Sequence, residues 1–262
     1  MAYFTQTVKP VITASKQHAG NISDTHVLFD WHGFDIPKGG ARIIGMTVIY
    51  RGKDGADVTP KDFELFFARS SSGSPTSAPA TLGPVAGTVQ PPAAGSQPWF
   101  NDILGTINID ASLMTNDGDL VHANVLSYPE GIVAITDNKA LHTYPGNIVL
   151  HGQPESGTNV GYDKVYVAAI SKESHHNWEA AMTVDGTMVT TSPNLTVADI
   201  SALINCASGD VLHDEDDNVL GTIKRVDSAT AIVMESNLAS ASANDKKVYN
   251  VNPIVLQLHL EN

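Results

Sequence analysis

An all-β fold is expected from three features of this sequence. Apolar residues recur with a period of two or in short β-branched runs. Turn residues separate those runs, and no long stretch holds the period of an amphipathic helix. Charged residues make up only 16% of the chain, against roughly 25% in an ordinary soluble domain, which suits strands joined by turns and a surface partly covered by other subunits. The expected arrangement is an antiparallel β-sandwich, jelly-roll-like, with a small β-barrel inserted near the C-terminus. The main domain spans 1–180 and is closed by a strand at 252–262, the inserted barrel spans 181–251, and a low-complexity arm occupies 70–98.

The first strands are the clearest. In HVLFDWH (26–32), Val27, Phe29 and Trp31 alternate with His26, Leu28, Asp30 and His32, the pattern of a half-buried strand. Pro37, Gly39 and Gly40 mark a turn before RIIGMTVIY (42–50), which is β-branched and apolar on both faces. DFELFFAR (62–69) follows, with Phe63, Leu65 and Phe67 on one side, and the three runs together read as an antiparallel meander. Residues 70–98 then carry no charge and hold Pro75, Pro79, Pro84, Pro91, Pro92 and Pro98. Such a segment cannot offset its own ordering entropy, so it is expected to be mobile or to lie as an arm on a neighbour.

Strand-like runs resume at 103–109, 119–126, 131–136, 147–152 and 163–171. Weak helix signals sit at 175–182 and at 192–203, the latter with a possible cap at Asn194 or Thr196 but rich in β-branched residues. Short strands and turns fill 181–250, including Asp185–Gly186 and the DSAT turn at 227–230. The run 252–261 then places Ile254, Leu256, Leu258 and Leu260 on one face.

Charge and composition exclude several function classes. With 15 Lys and Arg against 28 Asp and Glu, the formal charge is −13, so phosphate backbones and anionic lipid repel the chain, and neither nucleic acid nor a membrane is an expected partner. Cys206 is the single cysteine, which rules out an internal disulfide and fits assembly in a reducing cytoplasm. The N-terminal MAYFTQTVKP lacks a signal-peptide pattern, and no run approaches the roughly 20 apolar residues of a membrane span.

Catalytic chemistry finds little purchase. His26, Asp30 and His32 share a strand face, but strand rise separates His26 from Asp30 by roughly 13 Å, too far for one metal ion. His175 and His176 are adjacent and diverge on a strand, and His122, His142, His151, His213 and His259 are scattered singly. There is no nucleophile elbow, phosphate loop or dinucleotide fingerprint, and Cys206 has no evident base beside it. The expectation is therefore a protein that is not an enzyme, with no catalytic, cofactor-binding or metal site and no cofactor. A carbohydrate-binding module or glycan-active enzyme is the rival from another class, with Trp31, Trp99 and Trp178 as candidate platforms; Trp31 reads as core, and Trp99 closes the neutral arm where it can be exposed.

The acidic run DVLHDEDDNVLG (210–221) raises calcium. Asp214, Asp216 and Asn218 match the first, third and fifth ligands of a calcium loop, but Val219 stands where the turn glycine belongs and Arg225 where the bidentate glutamate belongs. A hairpin turn at Glu215–Asn218 is the better reading, although the tip is more acidic than a turn needs, which leaves ion binding or charge display open.

The surroundings of that tip carry a resemblance. Gly209–Asp210, the acidic tip, Leu220 to Ile223, Ser228 to Thr230, Ile232 to Met234 and Asn244 to Asn250 follow one another in a pattern that resembles a module of virion structural proteins of tailed bacteriophages, notably marine and cyanobacterial phages. The opening FTQTVKPVITAS and VLFDWHGFDIPKGGARI look similar to proteins of that kind. The resemblance implies a non-enzymatic virion component, a capsid decoration or cement protein that binds the major capsid protein on the outer shell, self-associates as a homo-oligomer, often a trimer, and is made in the bacterial host cytoplasm. A tail, baseplate or fibre component is the alternative within the virion. No site residues come with it.

Overall fold

The computed structural model describes residues 2–17, 22–51, 59–70, 77–91, 98–116, 120–126, 148–154, 162–174, 176, 178, 182–198 and 206–262. In chain order the strands are β1 (Tyr3–Val8), β2 (Val27–Pro37), β3 (Ala41–Arg51), β4 (Phe63–Ala68), β5 (Ile103–Ile109), β6 (Thr115–Asn116), β7 (Leu120–Leu126), β8 (Val149–Leu150), β9 (Gln153–Pro154), β10 (Tyr162–Ser171), β11 (Met182–Thr183), β12 (Asn194–Thr196), β13 (Val211–Asp214), β14 (Val219–Ser228), β15 (Ala231–Met234), β16 (Lys247–Asn250) and β17 (Ile254–Glu261). Helical structure among the described residues is limited to 3-10 turns at Ala14–Lys16, Trp99–Asp102 and Ala111–Leu113. The protein is all-β, and every strand pairing among the described residues is antiparallel.

Three sheets result. The first runs β1-β17-β3-β7-β6, with β8 on the start of β3; the second runs β2-β10-β4-β5, with β9 on β10; the third runs β11-β16-β13-β14-β15-β12. The inner faces of the first two share one core. Phe63, Leu65 and Phe67 of β4 meet Ile43, Met46 and Val48 of β3 there, together with Ile254, Leu256, Leu258 and Leu260 of β17. Strict alternation puts all four of those β17 side chains out of water, and each such burial contributes on the order of 1.5–3 kcal/mol. The third sheet has its own core of Met182, Val184, Leu195, Leu212, Ile223, Ile232 and Val248. It curls until its edge strands meet: Val184 bridges Val197, and Ala198 N–H donates to the Thr183 carbonyl.

Several expectations are corrected. The runs at 26–69 do not form a meander, because β2 and β4 flank β10 in the second sheet while β3 crosses to the first. Nor do Val27, Phe29 and Trp31 share a face. Register shifts opposite Ala169 and Ile170 insert extra β2 residues, so Leu28 and Phe29 both join the main core while Val27 and Trp31 join a separate cluster. Residues 194–196 are strand β12, paired with β15, rather than the start of a helix, as their β-branched content favours. The run 131–136 lies outside the described residues. So does most of 175–182, of which His176 bridges Ile22 and Met182 begins β11.

One buried carboxylate ties the third sheet to the first. Asp210 is fully buried; its Oδ1 accepts from Lys9 Nζ at 2.8 Å, and its Oδ2 accepts from Arg51 Nη1, from Ala207 N–H at 2.8 Å and from Asn250 Nδ2 at 2.9 Å. Lys9 follows β1 and Arg51 ends β3, so both cations come from the first sheet. Gly209 makes the approach possible: its φ is +79°, and the Lys9 ammonium lies 3.3 Å from where a Cβ would stand. Asn252 completes the joint, accepting from Val211 N–H and donating to the carbonyls of Lys9 and Pro10.

Removing one member of such a cluster leaves charge buried without compensation. Asp210→Ala is expected to cost about 3–5 kcal/mol, with faster amide exchange in β13 and β16, read by denaturant unfolding and hydrogen exchange. An unchanged midpoint would show that the joint holds nothing.

Candidate functional site: an aromatic contact surface

The described part of the neutral arm, residues 77–91, lies on this chain's own second sheet, covering its outer face, rather than on a neighbour. Asp30 holds it, its carboxylate accepting from Thr81 Oγ1 at 2.6 Å and from Leu82 N–H at 3.1 Å. Trp31 Nε1 donates to the Ala80 carbonyl at 2.9 Å, and Val27 N–H to that of Gly87 at 2.8 Å. Leu82 of the arm packs there on Val27, Ala168 and Ile170 of the sheet, and all four are buried. An uncharged segment suits this place, since covering it desolvates no charge.

The arm ends in aromatics. Trp99 packs edge-on against Phe66, with ring centroids 5.7 Å apart, tilts against Trp31 at 6.4 Å and meets Phe100 at 5.8 Å. Phe100 is 55% exposed, beside the half-buried Trp99. Asp102, the last residue of this turn, is buried, and its main-chain carbonyl accepts from Arg69 N–H at 3.0 Å, fixing the turn to the end of β4. The result is an apolar projection seated on the sheet by ring contacts and a backbone hydrogen bond, able to insert into a complementary surface. It is a poor sugar platform, because a stacking indole needs a free face and Trp99 is packed by three rings. Trp178 is buried in the main core, and Trp31 is half-buried under the arm.

Among the described residues the histidine and acid candidates are not brought together; His142, His175 and the His122 side chain lie outside them. Asp30 holds the arm, His26 Nδ1 accepts from Ser23 N–H at 3.2 Å, and burial, with the Lys164 charge, lowers the His32 pKa. Cys206 is buried 3.6 Å from the Met182 sulfur; burial, then the Asp210 charge, pushes its thiol up to about 12, so it is no nucleophile at neutral pH. Among the described residues no three His, Cys, Asp or Glu side chains gather as a metal site.

The acidic tip is a turn held by its own first residue. Asp214 Oδ1 accepts from Asp216 N–H at 3.0 Å and Asn218 N–H at 2.9 Å, and its Oδ2 accepts from Asn218 Nδ2 at 3.0 Å. Asp217 adopts φ 63°, a left-handed conformation that aspartate tolerates, and accepts from Ser15 N–H at 3.0 Å. Lys246 bridges Glu215 at 3.0 Å and Asp216 at 2.7 Å. The surplus acidity therefore has local uses: one carboxylate shapes the turn, one docks it on the Ala14–Lys16 turn, and two pair with a lysine.

A polar cluster that sequence reading missed lies between the two main sheets. Tyr50, His176 and Trp178 stack with centroids 4.9–6.1 Å apart, and the tyrosine hydroxyl is 3.0 Å from His176 Nδ1. Burial raises the Tyr50 pKa well above its usual value. It lowers His176 to about 4, helped by the Lys61 charge and opposed by Glu173 and the Asp62 backbone. The tyrosine thus keeps its own proton and the imidazole is neutral at pH 7. His176 adjoins a second histidine in a segment without strong periodicity, so nothing in the sequence marks it as core.

No family model matches the chain, and no curated protein matches it. Among solved structures, the crystal structure of the STIV MCP aligns over 99% of this chain and 97% of that one, at 9% identity and a TM-score of 0.13. A score that low carries no argument about fold or function.

Two outcomes test this geometry. Asp214→Ala is expected to lower stability by about 1–3 kcal/mol, the cost of leaving turn donors unmet, whereas Glu215→Gln, in a partly exposed pair, changes it by less than about 1 kcal/mol. Calcium should leave the melting temperature unchanged; a rise would show the acids holding an ion. His176 gives a pH signature. Its folded pKa lies below its unfolded value of 6.5, so the unfolded state takes a proton that the folded state refuses. Stability falls as pH drops from 6.5 and levels off near 4, by on the order of 3 kcal/mol. Unfolding curves across that window should flatten for His176→Phe, and an equally steep loss in that variant would remove His176 as the cause.

Proposed function

We propose that this chain is a non-enzymatic structural component of a bacteriophage virion, a decoration protein that binds the outer face of the capsid shell and stabilises it. The observation that carries this reading is the uncharged aromatic projection of Trp99 and Phe100, with Phe100 exposed. The turn-and-strand pattern of 209–250, similar to that of phage virion proteins, supports it from the sequence. Binding only the assembled shell stabilises that shell by mass action, and an apolar anchor on a protein of net charge −13 places the contact where charge repulsion is least.

The fold is read in the same sense, as a jelly-roll-like sandwich of residues 1–180 closed by 252–262, with 181–251 as a small inserted barrel. Consecutive strands that cross between the first two sheets support the former, and the meeting of β11 with β12 supports the latter. The major capsid protein is the proposed partner, with self-association, a trimer being what the resemblance implies. A tail or fibre position is the second reading, favoured by the same exposed aromatic.

A reconstruction of the particle, with the chain labelled, tests the proposal. The chain is expected on the outer shell, and Phe100→Ala is expected to weaken its retention on particles about tenfold or more, as for a buried aromatic anchor. Absence from purified virions sinks the reading, and density on the tail replaces it with the second.

A further inference from the structure

Sheet edges are templates for further pairing, and natural proteins blunt them. Among the described residues nearly every edge here is managed. The arm hydrogen-bonds Val27 at the start of β2. The edge strands of the third sheet bridge each other at Val184 and Val197. β5 carries a register shift near Gly105, where Ile148 packs so close that a Cβ would stand 2.9 Å from it. β6 is only two residues long.

β1 is different. Among the described residues it forms the edge of the first sheet, and its register with β17 runs unbroken from Tyr3↔Glu261 to Val8↔Leu256. The strand, YFTQTV, has no charge, proline or bulge. Ala2 and Asn262 exchange both of their backbone hydrogen bonds at 3.0 Å, which fixes the phase of the ladder: Phe4, Gln6 and Val8 bond to β17, and the N–H and C=O of Thr5 and Thr7 point away from it. Tyr3 is 67% exposed, and Thr5 and Thr7 are exposed too.

We infer that β1 pairs antiparallel with β1 of a second copy of this chain, about a twofold axis at Thr5, joining the two first sheets into one. The edge is self-complementary in the way such an axis demands. With Thr5 opposite its own copy, Tyr3 falls opposite Thr7 of the second copy. All three residues are then in the bonding phase, so their outward groups meet. Tyr–Thr and Thr–Thr are favourable cross-strand pairs. No like charges face each other, although the molecule as a whole carries −13; Lys9, just beyond the strand, is already paired with Asp210. A twofold contact is compatible with a trimer, linking chains of neighbouring trimers, and it does not depend on the virion reading.

Light scattering on the full chain tests this with two variants that keep the β1–β17 backbone ladder and lose within the monomer only the exposed 3.4 Å contact of Thr5 Oγ1 with His259 Nδ1. Thr5→Pro removes an N–H that points away from β17, and Thr5→Lys sets two ammonium groups face to face on the axis. Both are expected to halve the solution mass of the wild-type protein while lowering its stability by less than about 1.5 kcal/mol, the contribution of one exposed hydrogen bond, and to abolish slow hydrogen exchange at Thr7, which only a paired edge protects. A wild-type mass that neither variant changes overturns the inference, as does a monomeric wild type with fast exchange at Thr5 and Thr7. Pairing with a different protein at this edge, seen as protection only on particles, overturns it likewise.

Discussion

A carboxylate with no access to water must be matched in charge and in hydrogen bonds, and Asp210 imposes that demand on three distant parts of the chain at once. Lys9 and Arg51 answer from the first sheet, and Asn250 and the Ala207 amide answer from the third. Burying this set gains little net energy, since desolvation of the ions opposes their attraction. Its contribution is position. Two cores, each apolar and tolerant of sliding, are fixed in one relative placement because only that placement satisfies the carboxylate. Neighbouring amides reinforce it, with Gln17 spanning the Ile12 and Asn250 carbonyls and Asn252 spanning Val211 and the Lys9–Pro10 backbone. The Tyr3–Val8 strand is thereby committed to its place by the residue that comes after it.

The second organising constraint is that one sheet is apolar on both faces. The second sheet turns Phe63, Leu65 and Phe67 to the main core, and Val27, Ala168 and Ile170 to the other side. Something must cover the latter, and the neutral arm does. Its end, pinned at Pro98–Asp102, brings two aromatics to the surface as a consequence of that cover. The exposed anchor and the internal packing are thus the two ends of one device.

Elements whose side-chain period survives intact were legible in the sequence. The alternation Ile254, Leu256, Leu258, Leu260 and the trio Phe63, Leu65, Phe67 describe β17 and β4 as they stand. Where the period breaks, reading fails: the extra residues in β2 divide Phe29 from Val27 and Trp31, and no local signal announces a bulge that depends on β10. Which sheet a strand joins was equally hidden, since β2, β3 and β4 are neighbours in sequence but not in space. The acidic tip was legible as a turn because its missing glycine and glutamate count against a calcium loop. The Gly209–Asp210 pair stood out as a motif, but its role needed Lys9 and Arg51, some 160 to 200 positions away. Such pairings are fixed by the fold, and a single sequence does not display them.

Ala2 and Asn262 are cross-strand neighbours in an antiparallel pair. A pull applied at these two points therefore loads the β1–β17 ladder one rung at a time, peeling it open, where strands drawn lengthwise past each other would resist with all their bonds together. The molecule is mechanically soft along that line, so any tether or fused segment attached there transmits little force to the cores before β1 comes away.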